Sequence, residues 1–516
     1  MTADLSRRHL LSSVGGVGFA GLAGCAETEL GDTETAFTIV PGSDPTGAGD
    51  SWDNWGGMTP YWTRVVEPLV WGTEDMQPQP WLATDWTATD ETTWVFELRE
   101  GVSFHNGAEL TADDVVHSFE EDILTERGDF VHGWLHVEPG GVDRIDDYTV
   151  AFETTDPFPG FPGTIAHNMI DIQPPEADRR AGDIIGTGPF ELAKMDQGQQ
   201  LRVERFPDYW GGEPAPTELA FRAAEDATTR TDLLEAGEVD LVYEPATSRI
   251  SGFRDRDDIR IETQQSSGSR FVSINIHRAP TDDTDLRRAL NYAVSQSEIV
   301  DTVLEGIGEP AHGPISTVID WAADESLPRY DRDRDTAREL VSQSSYDGEA
   351  LTCLVETDMD DGRTLVQILQ KAFKSIGVSL DIEVLEKASL QDRTDRGEFH
   401  LKLGESQSNS PAADYIMWEN FHTMGIENKD LYEAEGTGLY NLGGEVDDLI
   451  ETGFQSYDAT ETRESYIAAQ RAIMDAAVVI PLFYEEYVVA ADASIDGLDL
   501  HPIDKFAQWG DLTRTA

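Results

Sequence analysis

The sequence predicts an α/β fold divided into two or three domains, and three observations carry that expectation. The apolar positions Leu365, Ile368, Leu369, Ala372, Phe373 and Ile376 recur at helical spacing and stop at Gly377, and Val378, Leu380, Ile382 and Val384 alternate immediately afterwards. A helix that feeds straight into a strand is the rhythm of an α/β layer. The length of 516 residues implies two or three units of ordinary domain size. An apolar fraction of 39%, with 12 Trp and 20 Phe, supplies enough core and sets aside an acidic disordered chain.

Taken from the N-terminus, Ser6-Arg7-Arg8-His9-Leu10-Leu11 reads as a twin-arginine export signal, with the apolar run Leu10 to Gly24 as its core. That run is about 15 residues, short of the ~20 that span a bilayer, so a cleaved signal is expected over 1–24. Leu22-Ala23-Gly24-Cys25 resembles a lipoprotein signal-peptidase box, which makes Cys25 the lipid-attachment residue. The apolar-poor stretch to residue 35 is then a tether between lipid and fold. Trp94, Phe96 and Leu98 alternate as in a half-buried strand that ends at the turn His105-Asn106-Gly107. Thr111 and Asp114 have capping-box spacing ahead of Val115, Val116 and Phe119, which predicts a helix. Leu286, Ala289, Leu290, Ala293 and Val294 mark another, and Ser295 with Glu298 opens a third before Val300, Val303 and Leu304. Cys353, inside Leu351-Thr352-Cys353-Leu354-Val355, is expected as a free buried thiol in a strand.

Composition speaks to solvent. Against 37 basic residues stand 99 acidic ones, a net charge of −62. Such a surface repels itself at low ionic strength but is tolerable in about 1 M salt, where the Debye length is ~3 Å, so a salt-adapted protein is expected. Nucleic acid is excluded as a partner, since no basic stripe is present to replace phosphate counterions. Three motifs fail on their mechanics. Gly16-Val17-Gly18-Phe19-Ala20-Gly21 has dinucleotide-loop spacing but lies inside the signal with no preceding strand. Asp331, Asp333 and Asp335 begin like a calcium loop, yet Thr336 and Ser342 stand where Gly and Glu are needed, and a helix N-terminus is expected instead. His105 has no second ligand at regular spacing, and the 11 His form no cluster, so no metal and no cofactor is expected. Local hydrolase and redox signatures are missing.

Several blocks stand in a recognisable order: Glu67-Pro68-Leu69-Val70, Trp94 through Gly107, Leu110-Thr111-Ala112-Asp113-Asp114-Val115-Val116, Gly186-Thr187-Gly188-Pro189-Phe190, Asp208-Tyr209-Trp210, Asp226 through Arg230, Gly237-Glu238-Val239-Asp240, Leu286 through Ala293 and Ile480-Pro481-Leu482. Together they resemble family 5 of the bacterial extracellular solute-binding proteins, the peptide and nickel receptors of ABC importers, here in the form of a haloarchaeal-like lipoprotein. From the residues alone, Gly186 and Gly188 are expected to permit a tight turn into a strand, and Trp94 and Phe104 to fill core.

The resemblance implies a two-lobed, periplasmic-binding-protein-like clamshell of the class II type. It implies an N-terminal lobe over 36–268 with a subdomain inserted at about 61–184, a C-terminal lobe over 269–479 and a return of 480–516 to the first lobe. The crossings are expected near Ser266 to Ser273 and Val479 to Phe483. It further implies a monomeric receptor on the outer face of the cytoplasmic membrane. That receptor would capture oligopeptides or dipeptides and pass them to a permease driven by separate ATPase subunits. Oligosaccharide capture and a sensor role remain open beside that reading. The stretch Gly404 to Phe421, with Asp414, Tyr415 and Trp418, corresponds to the segment that holds a peptide's amino terminus in relatives. A second candidate wall is the aromatic run Trp52 to Trp62, with Trp55 and Tyr61.

Overall fold

The computed structural model describes residues 35–46, 62–126, 131, 134–177, 184–224, 226–357, 359, 361–412, 414–425, 427–428, 439–440 and 442–515. The expected signal, Cys25, Trp55 and Tyr61 lie outside the described residues. One mixed sheet runs through both lobes. From one edge its strands are Leu380–Leu385, Leu351–Glu356, Leu401–Ser406, Ile259–Ile274, Val479–Asp492, Leu241–Tyr243, Ala36–Val40, Glu218–Arg222, Gln200–Arg205 and Phe190–Asp196. The short strand Glu309–Pro310 pairs with Val479–Asp492 off this path.

The two long central strands, antiparallel to each other, join the lobes. Ile259 to Gln265 pairs with Glu486 to Asp492, and Leu241–Tyr243 of the first lobe lies on the far side of that segment. Past a register shift between Gln265 and Ser269, residues Ser269 to Ile274 pair on their other edge with Leu401–Ser406 of the second lobe. The passage between lobes therefore falls at Gln265 to Ser269 against Tyr484 to Glu486. A break in register weakens the ladder and increases local twist, which places a bend where two lobes meet.

Between Ala36–Val40 and Phe190–Asp196 the chain leaves to build a four-stranded antiparallel sheet, ordered Ala83–Ala88, Thr93–Leu98, Thr149–Thr154, Val137–Asp146. Trp94, Phe96 and Leu98 point inward as their alternation requires, and Phe104 is fully buried in the same core. The helix Ala112–His117 starts at Thr111, whose backbone N–H donates to Asp114 Oδ2 at 2.8 Å. It continues as a π-helical turn, Ser118–Ile123, which the sequence pattern does not announce. In the second lobe the expected helices form as Thr284–Ala293, Gln296–Val303 and Gly362–Ser375, the last leading into strand Leu380–Leu385. Asp333 accepts from the N–H groups of Asp335 and Thr336 and so caps the helix Arg334–Gln343, the role left to it once a calcium loop is rejected. Cys353 is a free, buried thiol in strand Leu351–Glu356, and burial pushes its pKa up to about 12.

One buried carboxylate explains three of the family blocks at once. Glu67 is fully buried; its Oε1 accepts from Trp81 Nε1 at 2.7 Å and the Tyr209 hydroxyl at 2.9 Å, and its Oε2 accepts from Thr187 Oγ1 at 2.8 Å and Trp210 Nε1 at 2.9 Å. Arg64 lies 3.6 Å away with its guanidinium 3.9 Å over the Trp71 ring. The charge is thus compensated inside an aromatic box. It ties the segment entering the inserted subdomain to the segment leaving it and to the first lobe. The chain bends at 187–189 into strand Phe190–Asp196, as expected, but Gly186 and Gly188 are there for another reason. Neither glycine has a positive φ, and a methyl at either position would overlap the carbonyl oxygens of Val65 and Arg64. Close backbone approach, not turn geometry, requires glycine.

Candidate functional site

A cavity of about 760 Å³ opens beside the crossing strands and draws its walls from both lobes. Glu244 and Ile250 come from the first lobe, Met359, Glu405 and Gln407 from the second, and Arg270 and Glu485 from the crossing strands. Local structure dictates each placement. Glu244 follows strand Leu241–Tyr243 at a positive φ of 48°, with its N–H donating to the Val488 carbonyl, so the chain turns its side chain out of the sheet. Any side chain at Gly42 would collide with the Glu244 carboxylate. Gly268 plays the same part for Glu485, leaving room at the register shift for that carboxylate to fold in.

Arg270 is the cationic centre of the cleft. It is ion-paired to Glu405 on the neighbouring strand and, at 2.7 Å, to Glu485 on the other crossing strand. Burial works against its charge, but the Glu485 and Glu405 carboxylates outweigh that cost and hold its pKa above the usual guanidinium value. The Glu485 carboxyl is shifted upward, chiefly by burial; Arg270 opposes the shift, and the negative charges of Glu405 and Glu244 add to it. Gln407 reaches across to the crossing strand Val479–Asp492 by donating to the Tyr487 hydroxyl at 2.6 Å.

Part of the stretch singled out from the sequence lines this cavity and part of it does not. Glu405 and Gln407 lie within Gly404 to Phe421 and line the cavity; Asp414 and Trp418 do not. Both sit on the helix Asp414–Phe421, as does Tyr415, at the contact between the second lobe and the inserted subdomain. Asp414 packs against Gly160 so closely that a methyl there would overlap its carboxylate, and Ala412 fills the space beside Gly163. Burial raises the Asp414 pKa to about 7, with the polar groups of Tyr466 and Trp321 pulling the other way. Trp418 stacks on His422 at 4.0 Å between centroids and meets His136 of the inserted subdomain at 5.3 Å. Of the aromatic run, Trp62 is described and is core, packed edge-on against Trp509 at 5.4 Å and close to Phe221 and Tyr243. Arg270 and Glu485 were missed because nothing local marks them; only the pairing of the crossing strands brings them together.

Among the described residues no group of three or more His, Cys, Asp or Glu is placed to hold a metal ion. No helix among them is long and apolar enough to cross a membrane.

Comparison with known proteins agrees with this architecture. The model of the bacterial extracellular solute-binding proteins, family 5 (middle), matches residues 77–428. The probable D,D-dipeptide-binding periplasmic protein DdpA of Escherichia coli (strain K12) is 24% identical over 465 residues, covering 87% of this chain and 88% of its own. Among solved structures, DppA from Helicobacter pylori in complex with the peptide STSA superposes with a TM-score of 0.77 at 20% identity, over 93% of this chain and 98% of that one. NikA from Staphylococcus aureus in complex with Ni(L-His)2 gives 0.77 at 17% identity, over 93% and 100%. The match spans well over half of the chain, which therefore belongs to family 5 of the bacterial extracellular solute-binding proteins.

Proposed function

We propose that this protein is the substrate-binding component of an ABC importer, capturing oligopeptides or dipeptides outside the cell and delivering them to a membrane permease. The observation that carries the reading is the cavity between the lobes. A solute there touches both lobes and the crossing strands at once, so closure alone yields the full contact energy. Its size, with polar groups among apolar walls such as Ile250, Met359 and Phe483, suits a short peptide. Support for peptides over other solutes comes from the relatives named for dipeptides and from the peptide held by the Helicobacter pylori protein. The reading includes a twin-arginine signal over 1–24 and a lipid on Cys25 that keeps a monomer at the outer face of the membrane. It also includes lobe boundaries at 36–268, 269–479 and 480–516, favoured by the return of the chain to the first lobe along Val479–Asp492. Asp414 and Trp418 enter it as residues that seat the second lobe on the inserted subdomain.

The test is mass spectrometry of small molecules released from protein purified out of its own cells in molar salt. Peptides of two to several residues are expected, at near-stoichiometric yield. A single sugar or metal complex in their place would refute peptide capture. For the anchor, Cys25→Ala should release the protein into the medium or leave a precursor; a membrane-bound, correctly cut product would refute lipidation.

A further inference from the structure

We propose that the cleft selects solutes of net positive charge, basic peptides above all, and that Glu244 and Glu405, on opposite lobes, read that charge. This rests on the peptide-binding reading and narrows it. Among the described residues that line the cavity are seven carboxylates, Glu244, Glu356, Asp361, Glu405, Glu485, Glu486 and Asp504, and one guanidinium, Arg270. The chain as a whole has 99 acidic residues to 37 basic, while the cleft stands at seven to one.

The single guanidinium is already committed, being clamped by Glu405 and Glu485. An acidic ligand would have to displace one of those partners and then face the remaining carboxylates. A cationic ligand meets no such obstacle. Glu244, 3.8 Å from the buried Arg230 guanidinium, and Glu405, paired with Arg270, still keep 55% and 56% of their side-chain surface exposed, which leaves each a face for a cationic ligand. Burial is the chief cause of the upward shift of the Glu485 carboxyl, and the negative charges of Glu405 and Glu244 add to it. Long-range attraction vanishes in molar salt, where the Debye length is about 3 Å, so selection must act at contact distance within the cleft. Apolar wall residues, Ile250, Leu304, Ile307, Met359, Leu365 and Phe483, suit the alkyl stems of lysine and arginine, whose charged ends can then reach the carboxylates.

The experiment is calorimetry in 2 M KCl with three pentapeptides of equal length, Ala-Lys-Ala-Lys-Ala, all-alanine and Ala-Glu-Ala-Glu-Ala, and with spermidine as an amine lacking a peptide backbone. The full-length mature protein is used, with Glu244→Gln and Glu405→Gln as variants whose melting curves are checked first. The lysine peptide should bind at least tenfold more tightly than the alanine peptide, the glutamate peptide more weakly still, and each variant should cut the lysine preference at least threefold. Equal binding of all three peptides, or tighter binding of the acidic one, overturns charge selection and leaves peptide capture standing. An unchanged lysine preference in both variants overturns the assignment to Glu244 and Glu405. Binding of spermidine alone supports charge selection and overturns peptide capture, and binding of none overturns both.

Discussion

Replacing Glu67 by alanine removes the acceptor for four donors, of which Thr187 is fully buried and Trp81, Tyr209 and Trp210 are partly buried, and strips Arg64 of its counter-charge. The side chains of Arg64 and Glu67 are 1% and 0% exposed, so water cannot take over either role. Breaking a buried pair from one side typically costs about 3–5 kcal/mol, and each buried donor left unsatisfied adds about 1–3 kcal/mol before relaxation. The losses are not additive, because Trp81, Tyr209 and Trp210 share one carboxylate, and a fall of about 4 kcal/mol is expected. Urea unfolding in constant 2 M KCl, followed by tryptophan fluorescence, measures it without changing ionic strength. A compensating change sharpens the test: Arg64→Met together with Glu67→Ala should recover part of the loss, since the stranded guanidinium is then gone. A Glu67→Ala protein within about 1 kcal/mol of the parent would refute the view that this carboxylate pins the inserted subdomain to the first lobe.

Three further outcomes follow from the same geometry. Burial raises the Asp414 pKa to about 7, against 3.8 for an ordinary aspartate. The native state therefore holds its proton between those pH values while the unfolded chain does not. Stability from this group should be greatest below about pH 4 and decline as pH rises to 7, by at most about 4 kcal/mol, and Asp414→Asn should flatten the decline in urea titrations at pH 5 and pH 8. Gly163→Val inserts bulk against Ala412 at the lobe contact, so small-angle scattering should show a larger radius of gyration than the parent, with the secondary structure unchanged. With a net charge of −62, dialysis from 2 M into about 10 mM salt, where the Debye length is ~30 Å, should abolish cooperative melting reversibly, as followed by circular dichroism.

What could be read from the sequence was what depends on neighbours in the chain. The strand Thr93–Leu98 announced itself through alternation, and the helices beginning near Thr111, Ser295 and Asp333 through their caps. Blocks could be recognised without their purpose being visible: Glu67 gathers donors from 14 to 143 residues away, so its role exists only in three dimensions. Gly186 and Gly188 read as turn glycines because glycine usually marks a turn, whereas here it makes room for another segment's backbone. Within Gly404 to Phe421 the sequence reading singled out Asp414, whereas Glu405 is the carboxylate that lines the cavity. Periodicity does not say which side of a strand faces a cleft, and Arg270, which orients Glu405, comes from a strand more than a hundred residues earlier.

The account stands or falls on whether a peptide occupies the cavity beside the crossing strands. Ser248 lines that cavity from the first lobe and is exposed, so Ser248→Trp should fill part of it without disturbing the core. Calorimetric titration of Ala-Lys-Ala-Lys-Ala into the mature protein in 2 M KCl should give saturable binding at one site per chain, and the Ser248→Trp protein, with an unchanged melting curve, should lose at least tenfold in affinity. Undiminished binding to the filled variant would contradict the placement of the ligand between the lobes.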